Sequence, residues 1–250
     1  MGSHLPEPRA KQDRRSLRQL AYEDVKQRIL DSRYPPGAML SENQLAEELC
    51  ISRTPIREAL RDLATAGLVR ILPQRGIVVS ELTLQDAVEV YQLREQLECF
   101  ATRLAAQRIG SDDRRGFEAD HLRALKYLAA GNDRLAHDHS IRLHARIIAM
   151  ARNSRLTQVM NLLADQTHRF GLLTLRNGRA RSAIAEHGEI IAALLGNDVD
   201  LAEQRMRAHL RADRDVVLAL ILPAGADPTP LTSRREVILY ATATQEGDGR

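Results

Sequence analysis

Residues 41–70, SENQLAEELCISRTPIREALRDLATAGLVR, constrain the fold more than any other stretch of the chain. Ser41-Glu42-Asn43-Gln44 has the capping-box form, in which a serine and a glutamine three residues on satisfy the free amides of a helix start. Leu45, Ala46 and Leu49 give that helix one apolar side, and Cys50-Ile51 falls in a tight turn. A second helix begins between Ser52 and Pro55. Either Ser52 is its cap, or Thr54 is the cap with Pro55 at the first helical position. Ile56, Ala59, Leu60 and Leu63 then follow the i, i+3, i+4, i+7 spacing of one buried face. Arg53, Arg57 and Arg61, four apart, share the other. The stretch is a helix-turn-helix with an arginine stripe.

Its flanks extend the pattern. Residues 1–16 are polar and basic and read as a flexible arm. A helix with Leu20, Val25, Ile29 and Leu30 on its apolar side follows, and it must stop before Tyr34-Pro35-Pro36-Gly37 because a residue preceding proline leaves the α region. After Gly67, Leu68–Leu72 and Ile77–Val79 read as two short strands joined by a turn at Pro73-Gln74-Arg75-Gly76, a hairpin wing. Residues 17–80 therefore form one domain, a winged helix-turn-helix.

From about residue 81 to 222 the pattern is helical. Six segments (84–109, 112–130, 133–151, 154–175, 179–196 and 198–222) are separated by Gly110-Ser111, Gly131-Asn132, Asn153-Ser154, Asn177-Gly178 and Gly196-Asn197. Loops this short predict an antiparallel bundle of about six helices. The expected fold is mainly α: a winged head, a bundle, and a tail over 223–250 in which Ser233–Tyr240 could form a short strand.

Charge and composition narrow the partners. Residues 1–80 hold 13 Lys and Arg against 10 Asp and Glu, and the rest is balanced at 23 of each, so the net charge of +3 sits with the arginine stripe. Aromatics make up 3% of the chain and Trp is absent, which argues against a platform that stacks single-stranded bases. Cys50 and Cys99 each fall in an apolar helical pattern and are expected as buried free thiols in a reducing compartment. No apolar run approaches the length of a membrane span and no signal-peptide pattern is present, so a cytoplasmic protein is expected.

A recognition helix fits a major groove about 12 Å wide, and arginine there can reach guanine with two hydrogen bonds. The capped helix, tight turn and wing around the stripe point to double-stranded DNA rather than to a merely solvated helix face.

The run PPGAML-SENQLAEELCISRTPIREALRDLATAGLVRILPQRGIVV resembles the winged helix-turn-helix of the GntR family of bacterial transcription regulators. The resemblance covers about residues 18–80 and is most specific at S-R-T-P-I-R-E-A-L. It implies that Ser52, Arg53, Thr54 and Arg57 touch phosphates and bases and that Gly76 lies at the wing tip in the minor groove. Arg61 on the same stripe and Arg75 beside Gly76 extend the expected contact set. FadR-type members often carry an arginine where this chain has Asn43, so that contact is altered here.

The helical part resembles the FCD domain, the ligand-sensing half of the FadR subfamily. The pieces that carry this are V-Y-Q-L-R-E-Q-L-E with A-T-R-L-A-A, L-H-A-R-I-I-A-M-A-R-N, E-H-G-E-I-I-A-A-L and M-R-A-H-L, in that order. It points to His144, His187 and His209, on three separate predicted helices, as ligands of a divalent metal such as Zn or Ni. FCD sites usually add an Asp four residues before the first histidine; here that residue is Ser140. Three arrangements stay open: three histidines with water or effector, a substitute ligand, or no metal. Asp138 and His139 lie six and five residues before His144, off its face. Arg94 matches an arginine of the first FCD helix whose fork suits a carboxylate, although an i,i+4 pair with Glu98 is the simpler use for it. Arg94 and Ser140 are the expected effector-binding residues. Arg146, two residues past His144, points elsewhere.

The resemblance implies a homodimer on a palindromic operator, with Leu82–Val90 joining head and bundle. The expected function is a repressor released by a small organic acid. Two alternatives stand beside it: a metal-dependent enzyme, and a DNA-binding protein with a purely structural bundle. Glu186 and Glu189 flank His187 without an evident acid–base partner, and no nucleophile motif is present, which disfavours the enzyme.

Overall fold

A computed structural model describes residues 9–222. The chain divides into two compact units, Met1–Leu82 and Thr83–Arg250. The expected tail at 223–250, with its strand at Ser233–Tyr240, lies outside the described residues.

The first unit contains α1 (Arg9–Leu30), β1 (Met39–Leu40), α2 (Glu42–Glu48), α3 (Arg53–Thr65), β2 (Val69–Leu72) and β3 (Gly76–Val79). Residues 9–16 belong to α1, so the expected arm is helical over its second half. The buried row on α1 is Ala21, Val25 and Ile29, one residue out of step with Leu20, which is 49% exposed. These side chains pack with Leu45 of α2 and with Ile56, Ala59, Leu60 and Leu63 of α3. Half of the expected capping box forms: the Ser41 hydroxyl accepts the Gln44 amide, while the Gln44 side chain turns to Glu48, and Ser52 is the N-cap of α3 by backbone geometry. The Ser52 side chain makes no capping bond. Cys50 occupies the turn with a left-handed φ of 55°, which carries its side chain outward, so this thiol is exposed and only Cys99 is buried.

The wing has a third strand. β3 lies between β1 and β2, antiparallel to both, with Leu40 opposite Ile77 and Ile71 also opposite Ile77 across the hairpin. β1 is two residues long, too short to show an alternating pattern. The hairpin turns through Gln74 at φ 59° and Gly76 at φ 101°, the second of which suits glycine.

The second unit is a bundle of α4 (Leu84–Ala106), α5 (Ser111–Ala129), α6 (Asp133–Ser140), α7 (Arg142–Met150), α8 (Ser154–Arg176), α9 (Ala180–Leu195) and α10 (Val199–Ile221). The segment 133–151, expected as one helix, is two. The break comes at Ile141, with neither glycine nor proline to announce it. α10 packs along α4 and α9, and α5 along α6 and α9. Small residues on α4, Ala101 and Ala105, let this helix approach its neighbours closely around Phe117, Ile147, Ile190, Leu194 and Met206. No helix among the described residues is long and apolar enough to cross a membrane.

Candidate functional site

The first unit presents one polar face. Ser52, Arg53, Thr54, Arg57 and Arg61 are all exposed along α3, and Asn43 is exposed on α2. Arg75 and Gly76 are exposed in the hairpin turn. The apolar side of α3 is consumed by the core, which leaves the arginine side exposed. Arg57 is not idle: its Nε and Nη2 bond the carboxylate of Glu42 on α2, the latter at 2.9 Å. Glu42 was not singled out from the sequence. It sits beside a capping serine, where an acid is expected for helix-dipole reasons alone.

In the second unit three imidazoles meet. His144 on α7, His187 on α9 and His209 on α10 direct their Nε2 atoms to a common point. The His144–His187 and His187–His209 separations are 3.1 and 3.0 Å, and the three ligand atoms all lie within 4.8 Å of one another. Two nitrogens bound about 2.0–2.1 Å from one ion stand about 3.0–3.4 Å apart, so these two separations suit shared coordination.

The outward nitrogens are each tied. Nδ1 of His144 bonds Glu98, Nδ1 of His209 bonds Glu186 at 2.7 Å, and Nδ1 of His187 meets the Ser140 hydroxyl at 2.6 Å. An ionised carboxylate only accepts, so His144 and His209 donate from Nδ1 and a neutral ring is left with its Nε2 lone pair facing inward. Partners of this kind orient metal-binding histidines. Burial lowers the pKa of His144 despite the opposing pull of Glu98, and burial, then His209 and His144, lower that of His187 much further. Burial disfavours the Glu98 carboxylate, yet Arg94 and His144 outweigh it and hold the group at about 2. Glu186 is likewise held at about 2, with burial opposed by His209 and Arg179.

Arg94 is buried and its Nε bonds Glu98 at 2.7 Å, one turn along the same helix. The i,i+4 pairing is therefore realised, and through Glu98 it steadies His144. Ser140 is buried at the end of α6 and acts on His187. A small pocket adjoins it, lined by Ser140 and His187 together with Phe117, Asp120, His121 and His139. Arg94 does not line this pocket. Arg146 bonds Asp120 at 2.7 Å and lies over the Phe117 ring, both of which line this pocket. Asp138 pairs with Arg134.

Glu98, Glu186 and Asp213 are the residues that the sequence alone did not bring to this centre. Glu98 was visible only as a partner for Arg94, and Glu186 only as a neighbour of His187.

Comparison with known proteins agrees with both halves. Residues 17–79 match the model for bacterial regulatory proteins of the gntR family, and residues 89–212 match the FCD domain. The chain is 32% identical over 188 residues to a probable D-xylose utilization operon transcriptional repressor of Paenarthrobacter nicotinovorans, covering 74% of this chain and 81% of that one. It is 28% identical to the gluconate operon transcriptional repressor of Bacillus licheniformis, covering 78% and 76%. Among solved structures, a putative GntR transcriptional regulator from Rhodococcus sp. RHA1 superposes with a TM-score of 0.71 at 22% identity, over 82% of this chain and 98% of that one, and shares the fold. These relatives are transcription regulators and not enzymes. This chain belongs to the GntR family of bacterial transcription regulators, with a winged helix-turn-helix followed by an FCD domain.

Proposed function

We propose that this regulator is an effector-responsive repressor. It binds a palindromic operator as a homodimer in the cytoplasm and leaves it when a small organic acid enters the helical unit. The observation that carries the reading is the convergence of three imidazole nitrogens, with His187 and His209 buried, in a unit that follows a DNA-binding head. The naming of relatives for gluconate and D-xylose operons supports a small polar metabolite as the signal. A palindromic site calls for a two-fold symmetric protein, and this supports the dimer.

His144, His187 and His209 would hold a divalent ion, Zn or Ni by ligand type. When bound, such an ion supplies a Lewis-acid attachment point for a carboxylate oxygen. The chain's own residues do the rest. Glu98 and Glu186 fix two rings by accepting from Nδ1, and Ser140 fixes the third. Arg94 keeps Glu98 ionised. The effector would enter at Ser140 and His187, where His121 and His139 stand beside Phe117 and Asp120. Binding there alters operator affinity only if the effector prefers one of two states of the protein.

The test is fluorescence anisotropy on an operator defined by footprinting, with a panel of small hydroxy and dicarboxylic acids titrated in. Release by one acid at a concentration that leaves unrelated DNA binding unchanged is the expected result. Operator affinity indifferent to every acid, with and without added Zn, would leave a DNA-binding protein with a structural bundle.

A further inference from the structure

The first turns of α1 carry a charge pattern that the core of the head does not use. Ala21, Val25 and Ile29 form the buried row of this helix against α3, and Ala21 is its first core residue among the described residues. Arg18 precedes them by three, seven and eleven positions, on the same helix face. Lys11, Arg14 and Arg15 precede Arg18 by seven, four and three, so they share that face. The row that is apolar where α1 rests on α3 thus turns basic toward the helix start. Arg9–Arg18 is about 15 Å of helix, in which Arg9, Lys11, Arg14, Arg15 and Arg18 stand against a single acid, Asp13. Arg18 is exposed, and its Nε and Nη2 bond the carboxylate of Asp62 on α3, each at 2.5 Å. Asp62 directly follows Arg61 of the exposed stripe. The charge pattern works against the isolated helix. Lys11 with Arg15, and Arg14 with Arg18, are like charges one turn apart, and the first turn has no acid to offset cations at the positive end of the helix dipole. An anion laid along this face reverses both effects.

We propose that the start of α1 is a second DNA-contact element, a clamp on backbone phosphates beside α3 that reads no sequence. This rests on the reading of the α3 stripe as the DNA face. The occupant follows from charge and continuity. α1 and α3 belong to one compact unit, and the Arg18–Asp62 pair sets the basic face next to the arginine stripe, so a duplex lying on that stripe meets both. A row of phosphates takes point charges and guanidinium forks alike, which suits a face that mixes Lys11 with Arg14 and Arg15. Arg18, already bonded to Asp62, anchors the face, and Lys11, Arg14 and Arg15 supply the phosphate contacts. The competing account is that this face docks on acidic side chains of the helical unit or of a second copy, with no part in DNA binding.

The two accounts part on salt dependence. Each Lys or Arg that neutralises a phosphate steepens the fall of log affinity with log salt by about one. Full-length wild type and a Lys11→Ala, Arg14→Ala, Arg15→Ala triple variant would be titrated by fluorescence anisotropy, over a range of salt, against the footprinted operator and an unrelated duplex of the same length. The triple variant is expected to lose about 2–3 from the slope on both duplexes, with the ratio of the two affinities unchanged. An Arg14→Lys, Arg15→Lys variant should keep the wild-type slope, because a phosphate accepts a point charge. A folded triple variant with the wild-type slope on both duplexes, beside an Arg57→Ala protein that binds the operator weakly, overturns the clamp and leaves the α3 reading standing. A loss confined to the operator overturns the clamp as well, since phosphate contacts carry no sequence information. A wild type that binds neither duplex overturns both readings. If the triple variant does not fold, the three single variants decide: a slope lower by about one in each supports the clamp, and wild-type slopes in all three overturn it.

Discussion

The Arg57 guanidinium is clamped by Glu42, so that two helices of the head jointly orient one arginine of the exposed α3 stripe. The pair is exposed on the Arg57 side, so it adds little to the fold. Its value lies in pre-aiming the fork. Arg57→Ala is expected to weaken operator binding by about 1–3 kcal/mol with little change in melting temperature. Arg57→Lys should recover little of it, because an ammonium cannot reproduce the fork. Glu42→Gln should cost less than Arg57→Ala. Operator titrations in which Arg57→Ala matches wild type would remove this residue from the interface.

Arg75 at the hairpin turn should behave differently from Arg57. Beside a left-handed Gly76 it can reach phosphate, and a phosphate contact carries no sequence information. Arg75→Ala is expected to weaken specific and unrelated DNA alike and to lower the salt slope by about 1. A loss confined to the operator would make Arg75 a base reader instead. Gly76→Ala should damage the wing itself, since a Cβ there meets Met39 Cε at 3.0 Å on a backbone of φ 101°.

Glu95 gives the bundle an acid-sensitive joint. Its carboxylate on α4 receives Arg211 and Arg207 from α10, and these hydrogen bonds lower its pKa against the opposing effect of burial. A folded-state pKa below the unfolded one gives stability that is full above the unfolded value near 4.3 and is lost as pH falls through the folded value. Glu95→Gln is therefore expected to cost about 1 kcal/mol at neutral pH. Its melting curve should converge on wild type as pH drops below about 4. A difference that stays constant to pH 2 would show that the joint works through packing alone.

Where the sequence was legible, the information was local. The caps at Ser41 and Ser52, the apolar row from Ile56 to Leu63 and the arginine stripe each lie within a few residues, so periodicity reveals them. Leu20 against Ala21 shows the resolution of that method: Val25, Ile29 and Leu30 are buried as expected, while Ala21 is buried and Leu20 exposed. β1 and the break at Ile141 leave no local trace, because two paired residues do not alternate and the break has no helix-breaking residue. The three histidines were found through the order of family motifs, not through their spacing. Their partners Glu98 and Glu186 stand among many acids in amphipathic helices, and only tertiary packing separates those two from the others.

Ser140 therefore tests whether a residue that replaces a ligand has taken over a structural duty of the site. Its hydroxyl is buried and is the partner of His187 Nδ1 at 2.6 Å. Ser140→Ala strands that nitrogen in a dry interior, and an unsatisfied buried polar group costs about 1–3 kcal/mol. The melting temperature of the chelator-treated variant should fall accordingly. With its tether gone the His187 ring is no longer held toward the other two, and Zn²⁺ affinity should drop by about 10–100-fold. The two effects separate in one titration. Zn²⁺ at 100 times its dissociation constant stabilises a folded protein by about 2.7 kcal/mol, so wild type and variant should reach the same gain at Zn²⁺ concentrations that differ by the ratio of their affinities. If both gain equally at the same concentration, Ser140 supports the fold and does not position His187 for a metal.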